Sequence, residues 1–520
     1  MAKIIPIILI RFKKNINMKR YLFLICFLLT ASLSVCAQNK FTDRPKLVVG
    51  IVVDQMRWDY LGRYYDQLPE GGLKRLIKQG YSCNNCLINY VPTVTAIGHT
   101  SIYTGTTPAY HGICGNSFYV DGKAVGCVAD DNYQTVGSDT KKGQSSPHLL
   151  LATTIGDQLR LHTDFRSKVI GVSFKDRAAI LPAGRSANAA YWIDNKTGCF
   201  VTSTYYMQEL PDYVKKVNAQ MAKNEELKKV GEDIALYPLC GHLITDMAIA
   251  VLKGENMGHN GTTDMLCVSF SETDAIGHKW GTRGEHTDAA YIGLDQDIKR
   301  LLTALDAQVG HENYLLFLTA DHGGAHNWKF MQDNKLNGGK WLYQDLQKEA
   351  EAYVTKKLRA QKSVIDEITC LRIYLNHQSI ADQNLNLDEV KQCLIEFFST
   401  APNVIQVVDY QKVRTSSLPE RLMNMALMGY HPRRSGDLLV IVEPGYYEYG
   451  DWSSPVGTTH SSWNPYDAHI PLLFYGWHIK QGESSREVHI NDIAPTVCQM
   501  MHIQQPNACS GEAIVEVFED

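Results

Sequence analysis

The stretch Lys46-Leu47-Val48-Val49-Gly50-Ile51-Val52-Val53-Asp54 decides the fold. It is apolar without alternation, so neither of its faces meets water, and it ends on an acid. Runs of this kind form the central strands of a sheet covered on both faces. The same pattern recurs. Residues 168–174 (KVIGVSF) end at Lys175-Asp176-Arg177, residues 265–270 (MLCVSF) precede Asp274, and residues 314–319 (YLLFLT) precede Asp321-His322. Residues 438–442 and 470–475 read as further strands of that sheet.

Helical spacing lies between the strands. Leu73, Leu76 and Ile77 sit at i, i+3, i+4, and Tyr291, Leu294, Ile298, Leu301 and Leu305 continue that repeat. Residues 492–501 carry Pro495 in their first turn, where proline is tolerated. Strands alternating with helices predict an α/β fold with a mainly parallel central sheet and helices on both faces. Residues 326–458 break the rhythm. They hold charged helical stretches near 342–360 and 387–400 and strand-like runs at 371–375 and 404–408, and they read as an inserted cap subdomain.

The first 37 residues stand apart. Lys3, Arg11, Lys13, Lys14, Lys19 and Arg20 precede an apolar run over 21–33. That run is shorter than the roughly 20 residues of a membrane span. Val35-Cys36-Ala37 then supplies an A-x-A-like cleavage site. The reading is a secretory leader over 1–37, with Met18 as an alternative start, followed by a catalytic region over 38–520. It predicts a periplasmic or secreted protein with no transmembrane span after processing. A lipoprotein reading of Leu33-Ser34-Val35-Cys36 fits less well, because valine is bulky just before the cysteine.

The 520 residues carry 51 Lys+Arg and 55 Asp+Glu, with 44% apolar and 20% charged residues. This usage excludes a disordered tail, a coiled coil, a collagen and a multi-span membrane protein. The near-neutral balance gives no basis for binding a nucleic-acid polymer. Cleavage after Ala37 leaves 483 residues and moves the formal charge from −4 to −10. An acidic exported protein that handles anions needs local positive charge, from metal ions or a few placed Lys and Arg. Of 13 cysteines, eleven follow the leader. Cys83/Cys86 and Cys114/Cys127 are close in sequence and are candidate disulfide pairs in an oxidising compartment.

Ligands of open α/β sheets bind beyond the carboxyl ends of the strands. Asp54 stands there after the first strand, Asp274 and His278 after 265–270, and Asp321 and His322 after 314–319. His460, in Gly457-Thr458-Thr459-His460, precedes the last strand, and Thr95 precedes a short helix. Singly, each of these reads as a turn or capping residue. Jointly, they place three Asp and three His at one rim. Imidazole suits zinc better than the hard ions calcium and magnesium, and six ligands suit two zinc ions, each with an open position. Two such ions can clamp the attacking and leaving oxygens of an in-line displacement at phosphorus. A threonine hydroxyl beside metal becomes a competent nucleophile, and a helix starting there points its N–H groups at a phosphoryl group. His99 and His111 lie nearby in sequence and read equally as supporting or core residues.

This set resembles the alkaline phosphatase superfamily, and within it the type I phosphodiesterase/nucleotide pyrophosphatase-like branch that includes secreted bacterial phosphate-irrepressible alkaline phosphatases. The resemblance runs from residues 49–54 to residues 491–496. It implies an alkaline-phosphatase-like fold in which Asp54, Asp321 and His322 hold one zinc and Asp274, His278 and His460 hold the other. Thr95 is then the nucleophile, contacting metal and briefly phosphorylated. Asn116, in Gly115-Asn116, matches the asparagine that contacts a phosphoryl oxygen, and Lys175 and Arg177 match a cationic pair found in monoesterase members. Two cations favour the extra charge of a monoester dianion. The implied activity is zinc-dependent hydrolysis of small phosphate monoesters through a phosphothreonine. The alternative is a phosphodiesterase or nucleotide pyrophosphatase on the same two metals, and a third reading is a non-catalytic anion- or carbohydrate-binding protein on that fold. Sulfatases need a Cys or Ser in a C/S-x-P-x-R context, which Thr95-Ala96-Ile97-Gly98-His99 does not offer.

Overall fold

A computed structural model describes residues 43–518, and the leader read over 1–37 lies outside them. Five strands carry the argument: β1 (Leu47–Val53), β2 (Val169–Ser173), β3 (Asp264–Phe270), β4 (Tyr314–Thr319) and β5 (Leu472–Gly476). β1 runs parallel between β3 and β4, with Leu47 opposite both Asp264 and Tyr314. β2 continues the parallel set beyond β3, and Ala189–Asp194 lies parallel beyond β2. Every residue of β1 to β4 is buried. Successive side chains point to opposite faces, so both faces of this parallel centre are covered, as the unbroken apolar runs require.

Antiparallel pairs flank this parallel centre. β5 pairs antiparallel with β4, and Cys199–Ser203 with Ala189–Asp194. The whole sheet has ten strands and is mixed. Four helices frame the site: α1 (Thr95–Thr104), α2 (Asp176–Ala183), α3 (Glu272–Trp280) and α4 (Glu285–Gln308). Leu294, Ile298, Leu301 and Leu305 of α4 pack into the same core as the strands.

One predicted strand belongs elsewhere. Leu438–Val442 lies in a separate four-stranded antiparallel sheet with Ile365–Thr369, Arg372–Leu375 and Val404–Asp409. This sheet and the helices Tyr343–Leu358 and Leu387–Ser399 share a second core. Leu438, Val440 and Val442 face that core, whereas Leu439 and Ile441 face the main one. A strand covered on both faces reads alike in either sheet, so its apolar run could not reveal which sheet it joins.

The expected disulfides are absent. All eleven described cysteines are free thiols. Cys83 ends a strand of the ten-stranded sheet, Cys86 begins a strand of a three-stranded one, and both are buried. Burial pushes the Cys83 thiol up to about 12. Cys114 and Cys127 are buried as separate thiols in a third apolar cluster. Among the described residues, no single helix is long and apolar enough to cross a membrane.

Candidate metal centre and nucleophile

The register brings the predicted ligands to one rim. Val53 pairs with Phe270 and Val52 with Thr319, so the residues past β1, β3 and β4 emerge together. Asp54 continues the ladder, its N–H donating to Phe270 O at 2.9 Å. Asp274 and His278 stand one turn apart on a face of α3, with His278 Nε2 3.1 Å from Asp274 Oδ1. Asp54, Asp321 and His322 are fully buried, and Asp274 and His460 nearly so. The His278 ring is 31% exposed and forms the open side.

Two overlapping groups result. The ligand atoms of Asp54, Asp321 and His322 lie within 4.8 Å of one another, as do those of Asp274, His322 and His460. His322 Nε2 is 3.5 Å from both Asp54 Oδ1 and Asp321 Oδ2, and His460 Nε2 is 3.6 Å from Asp274 Oδ1. The His322 and His460 rings stack at 3.6 Å. His278 joins through Asp274, its ring 5.2 Å from that of His460. The first group is the set expected for one ion. In the second tight group, His322 stands where His278 was expected.

Three features fit these residues to cations. First, each of the three imidazoles has Nδ1 beside a backbone carbonyl: His278 to Thr458 O at 2.9 Å, His322 to Gly323 O at 2.9 Å and His460 to Thr93 O at 2.6 Å. Such bonds fix the tautomer and leave Nε2 as the free lone pair, which is how ligating histidines are held. Second, Asp54 Oδ1 and His322 Nε2 are buried without a hydrogen-bond partner, a costly state unless a cation meets them. Third, the electrostatics are those of a ligand set. Burial, then the nearby Asp321, push the Asp54 carboxyl well above its usual range. Burial, then His322, hold the His460 imidazole well below its own. Burial opposes ionisation of Asp274, but His278 and Lys175 outweigh it and hold that carboxyl well below the usual range.

Thr95 opens α1 and is 1% exposed. The N–H of Ala96 donates to Asn116 Oδ1 at 3.0 Å. Asn116 thus spends its carbonyl on the helix start. Lys175 and Arg177 flank the start of α2. The Lys175 ammonium bridges Asp54 Oδ2 and Asp274 Oδ2 at 2.6 Å each, joining the two ligand groups. Arg177 Nε is buried and unpartnered. His99 supports the site: Nδ1 is 2.9 Å from Thr95 O and 3.2 Å from Asp321 Oδ2, and Nε2 meets Ser269 Oγ at 2.8 Å. His111 is a core residue on Ser101 Oγ and Ile113 N, and burial pushes its imidazole down to about 3.

Gln55 went unread in the sequence. Its N–H donates to Asp321 Oδ1 at 3.2 Å and its Nε2 to Asp274 Oδ1 at 2.6 Å, so it ties the two groups together. Its backbone is left-handed, with φ of 62°. A Cβ on Gly277 would collide with the Gln55 amide, so a larger residue there would push the Gln55 side chain out of its place. That glycine between the two ligands was the available signal.

A family model described as type I phosphodiesterase / nucleotide pyrophosphatase matches residues 48–467. Alkaline phosphatase PafA of Elizabethkingia meningoseptica is 42% identical over 91% of this chain and 95% of its own. A protein named calcium-transporting ATPase from Myroides odoratus is 40% identical over 94% and 97%. Alkaline phosphatase PhoV of Synechococcus elongatus is 39% identical over 92% and 93%. The crystal structure of wild type alkaline phosphatase PafA superposes with a TM-score of 0.88 at 41% identity, covering 92% of this chain and 99% of that one. A crystal structure of a PafA variant is changed at a threonine and an asparagine 21 positions apart, and at a lysine and an arginine two positions apart. Thr95 and Asn116, and Lys175 and Arg177, have the same spacings.

Proposed function

The chain belongs to the type I phosphodiesterase / nucleotide pyrophosphatase family, and we propose that it is an exported, zinc-dependent alkaline phosphatase that hydrolyses small phosphate monoesters with broad specificity. The observation that carries this reading is the triple Nδ1 anchoring of His278, His322 and His460, which aims three imidazole Nε2 atoms at three buried carboxylates. Asp54, Asp321 and His322, with the Thr95 hydroxyl, would hold one zinc ion, and Asp274, His278 and His460 the other. Bound there, the ions supply Lewis-acid stabilisation of the oxygens that gain charge at phosphorus.

The chain's own groups do the rest. The Thr95 hydroxyl gives its proton to solvent, its Oγ attacks phosphorus and forms the Thr95–phosphorus bond, and the bond to the leaving oxygen breaks, that oxygen taking a proton from water. In-line geometry sends that oxygen out opposite Thr95, on the side of Asp274, His278 and His460. Water then attacks the phosphothreonine and gives up a proton, the Thr95–phosphorus bond breaks, Thr95 Oγ regains a proton, and inorganic phosphate leaves. Asn116 Nδ2 and the Arg177 fork donate to the non-bridging oxygens. The Lys175 ammonium, which bridges Asp54 and Asp274 here, would be released toward the dianion once those two carboxylates served as metal ligands. The matching spacings in the PafA variant support these four roles.

Lys175 and Arg177 favour a monoester over a diester, because the monoester dianion concentrates more charge on its non-bridging oxygens. The family description keeps a diesterase or pyrophosphatase on the same residues as the second reading. The ATPase name of one relative fits the same chemistry, since the terminal phosphoryl group of ATP is itself a dianion. Turnover of p-nitrophenyl phosphate by protein of measured metal content tests the proposal. Chelation should abolish it and zinc should restore it, and turnover indifferent to chelation would overturn it.

A further inference from the structure

An exposed aromatic ring stands against the ligand cluster. Trp452, from the inserted segment, is 53% exposed, and its ring lies 6.2 Å from that of His278 in an edge-to-face arrangement. The indole is nonetheless held. Its Nε1 donates to Tyr343 Oη at 3.3 Å. The turn that carries it is closed by Ser453, whose Oγ accepts from Gly450 N at 3.1 Å and whose N–H donates to Gly450 O at 2.9 Å.

The following residues bind this turn to α3. Ser454 Oγ donates to Lys279 O at 2.6 Å, and Thr458 N to Gly277 O at 3.1 Å. A Cβ on Gly457 would collide with the carbonyl of His278, so only glycine allows the approach. Thr458 O is the carbonyl that fixes His278 Nδ1. One short segment therefore orients His278 and holds the indole beside it.

A tryptophan with its N–H satisfied and its backbone pinned loses little freedom when a planar group covers it. More than half of its surface stays open beside His278. We propose that Trp452 is a stacking platform for the leaving group and gives the enzyme a preference for aryl phosphates over small aliphatic ones. This rests on the proposed monoesterase reading, which sends the leaving oxygen out on the His278 side.

The test compares phenyl phosphate with methyl phosphate in the wild type, Trp452→Ala and Trp452→Phe. The ratio of the two kcat/KM values cancels the fraction of active enzyme, and comparing that ratio between variant and wild type cancels the intrinsic reactivity of each ester. It should fall about three- to tenfold in W452A, as expected for one lost aromatic contact, and stay near the wild-type value in W452F. Calorimetric affinities for phenylphosphonate and methylphosphonate should shift in the same proportion. A W452A ratio equal to wild type in an enzyme active on both esters would overturn the platform alone. A wild-type enzyme without monoesterase activity would overturn the functional reading as well.

Discussion

His460 Nδ1 lies 2.6 Å from the carbonyl oxygen of Thr93, two residues ahead of Thr95. A loop from late in the chain is thereby fastened to the extended segment just before α1, and one bond sets both the His460 tautomer and the entry into α1. Thr93 Oγ1 repeats the link by donating to Ser462 O at 3.0 Å.

His460→Ala should therefore lower metal content as well as activity. Loss of a ligand is expected to cost more than about 100-fold in metal affinity, the upper end seen for removing mere supporting partners. Metal analysis of dialysed protein checks this, and an unchanged metal count would remove His460 from the ligand set.

Thr95→Ala should abolish nearly all turnover, by about a thousandfold or more, while leaving metal content near normal. Asp54, Asp321 and His322 would remain to hold an ion beside residue 95. If zinc is lost with the hydroxyl, Thr95 is mainly a structural ligand.

Arg177→Ala should reduce kcat/KM for p-nitrophenyl phosphate about 100-fold and that for bis-p-nitrophenyl phosphate far less. The guanidinium answers charge that a diester lacks. Equal losses would take away the physical argument for monoester preference.

Asp467 should make stability depend on pH. Its Oδ2 accepts from Ser462 N and Oγ at 2.8 and 2.6 Å, and burial pushes the carboxyl up to about 7. The unfolded carboxyl titrates near 4, so between about pH 4 and 7 the folded chain keeps a proton that the unfolded chain has released. The contribution of Asp467 to stability falls as pH rises through that window. Asp467→Asn imitates the protonated form, so its Tm relative to wild type should rise from pH 5 to pH 8. A constant difference would contradict this.

The sequence made the parallel centre legible because β1 to β4 are buried on both faces and so read as unbroken apolar runs. The acids and histidines that follow those strands were legible for the same reason, since the strand ends put them at one rim. What stayed hidden depends on approach in space. Nothing in the order of residues says that Leu438–Val442 joins another sheet, that Lys175 bridges Asp54 and Asp274, or that His322 lies between both groups. The carbonyls of Thr93, Gly323 and Thr458 that aim the imidazoles are backbone atoms, and residue types carry no mark of them. Gln55 was hidden by its left-handed backbone, which turns a residue next to Asp54 back into the site.

The central claim is that two metal-ligand groups, Lys175 and Arg177 together form a site for a phosphate monoester dianion. The most direct measurement is kcat/KM of the zinc-loaded protein for p-nitrophenyl phosphate and for bis-p-nitrophenyl phosphate, taken side by side. The account predicts the higher value for the monoester; a higher value for the diester would contradict it.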